Sequence, residues 1–300
     1  MNQKNKIIAI VGPSSTGKSD LSVKIAKKFG AEIISADSRY IYKEINIAAA
    51  KPSMEEMCCV PHHLIDICSV NDEYSVGQFI KDADILINNI AGRNMLPIVT
   101  GGTGLYFRSL CGTFDIPEVP ADKHFRAEAE NIPNEVLYSE LTLKNPSLAK
   151  KIHPNNKVKI VRALEITRSG AEMKSKECPY NILWIGLNAK NRDFLYTKAD
   201  LRVDKMFESG LFDEAKYLFS KYGKNNILMN TIGVKEFYDV IYNNVSLETA
   251  KEEIKKNTRH YIKRQISWFK NEKDVNWFYI DEDECSLIEK VSNLIKKFIE

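Results

Sequence analysis

The stretch Ile7-Ile8-Ala9-Ile10-Val11-Gly12-Pro13-Ser14-Ser15-Thr16-Gly17-Lys18-Ser19 decides how the rest of the chain is read. Ile7 to Val11 is a short, wholly apolar and mostly β-branched run, which reads as a strand buried on both faces. Gly12 to Ser19 then satisfies the spacing G-x-x-x-x-G-K-[ST]. Behind it, Leu21, Ile25, Ala26 and Phe29 share one helical face, and Gly30 stands where a left-handed cap would end the helix. Strand, glycine turn and helix therefore follow in the order that a phosphate-binding loop requires. The glycines let backbone N–H groups wrap a phosphate chain, and the helix N-terminus adds partial positive charge. Lys18 supplies a full charge, and Ser19 a hydroxyl suited to a magnesium ion. Gly12, Pro13, Ser14, Ser15, Thr16, Gly17, Lys18 and Ser19 are thus candidate diphosphate-binding residues, with Ser19 the candidate metal ligand. The loop alone is equally compatible with a kinase, a nucleoside triphosphatase or a transferase whose leaving group is diphosphate.

Outward from this loop, short β-branched runs alternate with amphipathic stretches, the pattern of βαβ units and a parallel sheet. Strands are predicted at 32–35, 63–67 and 96–100. A helix between the last two is signalled by Ser75-Val76-Gly77-Gln78, a capping-box pattern, and by the stripe Phe79, Ala83, Leu86 and Ile90, ending at Gly92. After residue 113 the rhythm becomes that of proline-punctuated polar helices, the strongest being Val158 to Ser169 before Gly170. A strand at 182–187 then resumes the sheet. Helices follow from Arg192 to Ser209 and from Ser246 to about Lys270, then a strand at 275–280 and a last helix capped by Ser286. The expected fold is α/β: a P-loop core of parallel strands, 1–113 and 182–300, interrupted by a helical insertion at 114–181.

The bulk properties bound the function. Three hundred residues, 44% hydrophobic and 28% charged, suit a globular chain with one large and one smaller domain. No apolar run reaches the roughly 18 to 20 residues of a membrane span, and Met1 to Lys6 is polar, so a cytoplasmic protein without membrane association is expected. Six cysteines without a C-x-x-C pair read as free thiols. The net charge of +3 is too small to indicate nucleic-acid binding by itself, but Lys251 to Lys270 holds seven Lys or Arg against two Glu. Lys251, Lys255, Arg259 and Lys263 recur every fourth residue and form a stripe, with Lys256, His260 and Arg264 beside it. Lys157, Lys159 and Arg162 make a second basic group. Such stripes track phosphates or simply face water.

Two acidic positions are candidates for chemistry. Asp37 follows the second strand at the end where parallel sheets carry their reactive groups, and reads as a general base or as the cap of a following turn. His62-His63-Leu64-Ile65-Asp66 could end a strand in a metal-supporting aspartate, or Asp66 could merely close the strand. From Asp37 onward, several motifs are similar to those of tRNA dimethylallyltransferases. Asp37-Ser38-Arg39, Tyr42-Lys43, Ile47 and Ala50-Lys51-Pro52 resemble D-S-x-Q-V-Y-K-x-x-D-I-G-T-A-K-P. Pro61 to Asp66 resembles P-H-H-L-I-D, and Gly101 to Tyr106 resembles G-G-T-G-L-Y. Arg162-Ala163-Leu164-Glu165, Arg202-Val203-Asp204-Lys205-Met206 and Arg264 to Phe269 fall in the family's order. The sequence departs from this pattern at Tyr40, Asn46 and Ala48-Ala49.

The resemblance implies transfer of a dimethylallyl group from dimethylallyl diphosphate, with Mg2+, to N6 of the adenosine beside the anticodon of tRNA. It implies that Asp37 meets the adenine amine, and that Thr103 and Arg202 bind the departing diphosphate. It also places tRNA contacts at Asp37, Ser38, Arg39, Tyr40, Thr103, Arg126, Val158, Lys159, Ile160, Val161, Arg162, Lys235, Arg259, Lys263 and Arg264. The target adenine must leave its stack, and Tyr40 offers an aromatic surface to receive it. A monomer binding the anticodon stem-loop is expected. A small-molecule kinase, a prenyltransferase acting on free adenylate, and a weakly active RNA-binding paralogue stand as alternatives.

Overall fold

The computed structural model describes residues 4–112, 117, 119–171, 177–272, 274–282 and 284–300, without the side chains of 284 and 285. The predicted boundary at 113/114 and the Cys285 thiol lie outside them. Two compact units result, Met1–Cys111 with Cys178–Glu300, and Gly112–Glu177. The elements in chain order are β1 Lys6–Val11, α1 Lys18–Phe29, β2 Ala31–Ser35, α2 Met54–Met57, β3 His62–His63, α3 Val76–Gly92, β4 Leu96–Gly101 and α4 Gly104–Leu110. Then come α5 Lys123–Glu130, α6 Asn134–Lys144, α7 Pro146–Ala149 and α8 Lys157–Ser169 in the second unit. The first unit resumes with β5 Asn181–Asn188, α9 Arg192–Glu208, α10 Leu211–Tyr222, α11 Asn226–Met229, α12 Tyr238–Tyr242, α13 Leu247–Phe269, β6 Val275–Tyr279 and α14 Glu284–Ile299.

The six strands form one sheet in the order β3-β2-β4-β1-β5-β6, and every pairing is parallel. Because successive side chains point to opposite faces, the apolar run of β1 serves two cores. Ile7, Ala9 and Val11 pack with Phe79, Ala83 and Ile87 of α3, whereas Ile8 and Ile10 pack with Leu21 and Ile25 of α1 and Val291 and Ile295 of α14. Each such fully buried isoleucine contributes about 1.5–3 kcal/mol. A third core, including Ile41, Tyr42, Ile45, Val203, Leu211, Phe219, Phe237 and Ile254, ties the segment after β2 to α9, α10 and α13.

Three local expectations change. The strand predicted at 63–67 stops at His63, because Leu64 and Asp66 adopt left-handed backbone at φ 61° and 57°. The stripe of α3 buries Ile87 as well, with Leu86 partly buried against the same core, and only half of the capping box forms: Ser75 accepts the Gln78 N–H, while the Gln78 side chain turns to Asp82. The last helix starts at Glu284, so Ser286 lies inside it.

In the second unit, Phe125, Leu137, Leu141, Ile160 and Leu164 form the centre of a helical core. Glu165 is 4% exposed, and it accepts hydrogen bonds from Arg126 Nε at 2.7 Å, Arg162 Nη1 at 3.0 Å and the Asp122 N–H at 3.0 Å. Burial pushes this carboxyl up, but the two arginines and the N–H outweigh it and hold the group below its ordinary value.

A candidate active site at the carboxyl ends of β1, β2 and β4

Register brings three loops together. Val11 pairs with Gly101 and Ser35 with Thr100, so β1, β4 and β2 end at one level, where the order reverses between β4 and β5 around β1. Gly12 must be glycine: its φ is 146°, and a Cβ there would stand 2.2 Å from the Leu187 carbonyl oxygen. Gly101 approaches β2 as closely, since its Cβ would lie 2.3 Å from Ala36 O. That approach allows Ala36 N–H to donate to Thr100 O at 2.7 Å and Thr103 N–H to Ala36 O at 3.4 Å. Thr103 is thereby delivered beside Asp37.

Within the phosphate loop, Ser15 at φ 66° and Gly17 at φ 82° are left-handed, the kind of backbone from which an anion nest is built. The Ser15 hydroxyl oxygen is buried without a hydrogen-bond partner. Pro13 O accepts from Thr16 Oγ1 at 2.9 Å and from Lys18 Nζ at 2.7 Å. Burial, and after it the charge of Arg202, lowers the Lys18 ammonium to about 7, with Asp37 pulling the other way. Lys18, Arg202 and Asp37 thus share one electrostatic site.

Asp37 caps the turn that follows it, which does not continue into a helix. One carboxylate oxygen accepts the Arg39 N–H at 2.8 Å in a side-chain-closed turn, and the other makes no hydrogen bond among the described residues. Thr103 Oγ1 accepts the Ser38 N–H at 3.3 Å and also meets the Tyr261 hydroxyl. Tyr261 is raised to about 12 by burial and by Asp37. Arg202, on α9, donates from Nη2 to Ala50 O at 3.4 Å. Tyr40, expected as a stacking surface, is tied by its hydroxyl to Ala50 O at 2.9 Å and contacts Ser19 and Arg202. It walls the phosphate end of the site. Beyond Arg202 lies a groove of about 390 Å3 bordered by Asn46, Ala50, Lys51, Lys205 and Met206.

The loop that departs from the family pattern is held from outside. The Glu214 carboxylate accepts the N–H groups of Asn46 at 3.0 Å, Ile47 at 2.8 Å and Ala48 at 2.9 Å. Asp66 is paired with Lys51 at 2.5 Å, and His63 with Glu32 at 2.7 Å, so neither is presented to a metal. Among the described residues no group of three or more His, Cys, Asp or Glu could hold a metal ion. The donor set that remains, the Ser19 hydroxyl with water and the oxygens of any phosphorylated ligand, is one that suits a divalent cation.

The basic stripe is largely neutralised. Lys251 and Lys255 meet Asp204 at 2.8 and 2.9 Å, Arg259 meets Asp200 at 2.6 Å, and Lys256 meets Glu253 at 2.9 Å. His260, Lys263 and Arg264 remain exposed and, with Ser267 and Trp268, line a groove of about 450 Å3. Lys235 lies 3.8 Å from Glu236, and Arg39 donates to Asn230 O at 3.0 Å. On α8, Val158 and Lys159 are exposed, but Ile160 and Val161 belong to the core of the second unit, so their side chains cannot form an RNA-facing surface. Arg126 and Arg162 are committed to Glu165.

Sequence reasoning missed Tyr261, and it placed Gln265 within the Arg264 to Phe269 motif without assigning it a role. Gln265 Oε1 accepts the Ser14 N–H at 2.9 Å, and its Nε2 donates to Gly102 O at 3.1 Å. The available signal was a polar residue within the buried stripe of α13, alongside Ile254, Ile262 and Phe269.

An IPP transferase family model matches residues 40–272, and an isopentenyl transferase model matches residues 5–72. Among curated proteins, the chain is 40% identical to a tRNA dimethylallyltransferase of Halalkalibacterium halodurans over 97% of both chains. It is 41% identical to one of Caldanaerobacter subterraneus over 92% of both. Among solved structures, it superposes with a TM-score of 0.76 and 40% identity on a tRNA isopentenylpyrophosphate transferase from Bacillus halodurans, covering 98% of this chain and 97% of that one. A eukaryotic dimethylallyltransferase described as acting on tRNA gives a TM-score of 0.86 at 28% identity, covering 98% and 79%.

Proposed function

The chain belongs to the IPP transferase family, and from that premise we propose that it is a tRNA dimethylallyltransferase that uses dimethylallyl diphosphate and modifies N6 of the adenosine next to the anticodon. The observation that carries the reading is the meeting of Asp37 and Thr103, delivered by β2 and β4, with Lys18 and Arg202 beside the end of β1. A phosphoryl-transfer enzyme can also set a carboxylate and an arginine beside such a cradle, so what separates the two readings is the family to which the chain belongs.

The adenine leaves its stack, and its amine is presented to Asp37, whose unbonded oxygen accepts an N6 proton. A bond forms between N6 and C1 of the dimethylallyl group as the C1–O bond to diphosphate breaks. The electron pair of that bond leaves with the diphosphate, and the amine proton passes to Asp37. Lys18, Arg202 and the nest around Ser15 and Gly17 face the charge that builds on the leaving group. Magnesium bound with the diphosphate at Ser19 would neutralise part of that charge. For RNA, the exposed charges Lys263 and Arg264 on α13 and Lys159 on α8 are the proposed phosphate contacts, together with Ser38, Arg39 and Lys235. The enzyme is proposed to act as a monomer in the cytoplasm. No helix among the described residues is long and apolar enough to cross a membrane.

Incubation with labelled dimethylallyl diphosphate and unmodified tRNA, AMP or ATP tests this reading. Label is expected in tRNA alone; label in AMP, or none in tRNA, would overturn it.

The lowered Lys18 ammonium adds a pH signature. Above about 7 the empty site holds Lys18 largely neutral, whereas a bound diphosphate favours the charged form. Diphosphate binding should therefore take up a proton above that pH and weaken as pH rises further, with no such contribution below it. Calorimetry in buffers of different ionisation enthalpy should detect the uptake, and Lys18→Met should remove it.

A further inference from the structure

Gln265 projects from α13 and is 3% exposed. Its Oε1 accepts both the Ser14 N–H at 2.9 Å and the Ser14 hydroxyl at 3.3 Å, and its Nε2 donates to Gly102 O at 3.1 Å. A backbone N–H can only donate and a carbonyl can only accept, so the amide has one workable orientation and no substitute of equal length. A glutamate at this position would set acceptor against acceptor at Gly102. A methionine would satisfy neither side.

The surroundings are built to admit this amide. A Cβ on Gly102 would stand 2.1 Å from Gln265 Nε2. One turn earlier on α13, the Tyr261 hydroxyl lies against Thr103, and three residues later the Trp268 ring packs so closely on Gly104 that a Cβ there would lie 2.8 Å from it. Tyr261, Gln265 and Trp268, spaced by four and three, share one helix face, and they grip the consecutive residues Gly102, Thr103 and Gly104. His260, Lys263 and Arg264 stand exposed on the same helix.

We propose that Gln265 is a positioning residue that fixes the separation between the phosphate loop and the Thr103 loop, working from the helix that carries the RNA-facing charges. The proposal deepens the transferase reading and rests on it in one respect: both loops must face the same diphosphate. Losing the amide would leave a half-buried N–H at Ser14 and a buried carbonyl at Gly102 without their partner, and the two loops would relax apart to recover others. Misplacement by an ångström suffices to weaken a multidentate anion site.

The experiment compares Gln265→Met, Gln265→Glu, Gln265→Ala, Gly102→Ala and the double variant Gly102→Ala/Gln265→Ala. Donor KM, tRNA KM, kcat, melting temperature and calorimetric affinity for magnesium diphosphate are read for each. Gln265→Met should raise donor KM and weaken inorganic diphosphate about tenfold, or 1.4 kcal/mol, while tRNA KM moves less than about twofold. Gln265→Glu should not rescue. Gly102→Ala should cause the same loss by displacing the amide, and should add little once Gln265 is already alanine.

Donor KM and diphosphate affinity within about twofold of wild type in Gln265→Met would overturn the proposal. So would additive losses in the double variant, or donor and tRNA KM rising together with a falling melting temperature. Diphosphate binding needs no tRNA. Wild type that binds diphosphate yet labels no tRNA would therefore sink the transferase reading, while the diphosphate measurements would still decide Gln265.

Discussion

Asp37→Asn is expected to lower kcat for prenyl transfer by about 10² to 10⁴, the range for loss of a general base, while tRNA affinity changes by less than about threefold. Asparagine keeps the acceptor that closes the turn on the Arg39 N–H, so the loop should hold its shape. What changes is the other side of the group, where an amide N–H would face the adenine amine, donor against donor. Asp37→Ala removes the turn as well and should lose at least as much turnover. There is also a distant effect: Asp37 raises the Lys18 ammonium, so neutralising it should lower Lys18 further and move the onset of proton uptake to lower pH. Single-turnover kinetics with saturating donor, alongside tRNA binding, would separate these effects. If Asp37→Asn keeps kcat within about tenfold of wild type but loses tRNA affinity, Asp37 positions the base and does not take its proton.

Arg202→Met should lower kcat by about 10² to 10³, comparable with removing one preorganised donor from a developing anion. Arg202→Lys should recover little of it. The guanidinium reaches Ala50 O and Tyr40 from one planar fork while still facing the phosphate end, whereas a single ammonium cannot span these directions. Arg202 also depresses Lys18, so its removal should let Lys18 rise and shift the onset of proton uptake to higher pH, opposite to the Asp37 variant. Opposite shifts from two residues would be hard to explain unless both face Lys18. An unchanged kcat with only a raised donor KM would make Arg202 a ground-state contact, contrary to the role proposed.

Much of this was legible in the chain because it depends on local rules. The strand, glycine turn and helix from Ile7 to Gly30 follow from periodicity and from backbone freedom at Gly12 and Gly17. The helix from Val158 ended at Gly170 for the same kind of reason. The rest depends on partners distant in sequence. Nothing near His63 announces that Leu64 and Asp66 turn left-handed and end β3 after two residues. The charge stripe of α13 reads as free until Asp200 and Asp204, on α9, are brought against it. Ile160 and Val161 sit among basic residues in sequence but face the core of their helical unit. The role of Gln265 was hidden because its two partners lie 251 and 163 residues away.

The Glu214 carboxylate, set on α10, dictates the course of the loop at 46–48 through main-chain N–H groups alone. Backbone donors are the same for almost any residue. The side chains add less: Asn46 Oδ1 accepts from Lys51 Nζ at 3.0 Å, and Ala48 and Ala49 rest against the third core, so changes there that keep these contacts should leave the backbone course beside Arg202 in place. Variation at Asn46 then changes what lines the groove, while the main chain beneath it keeps the course that a remote glutamate sets.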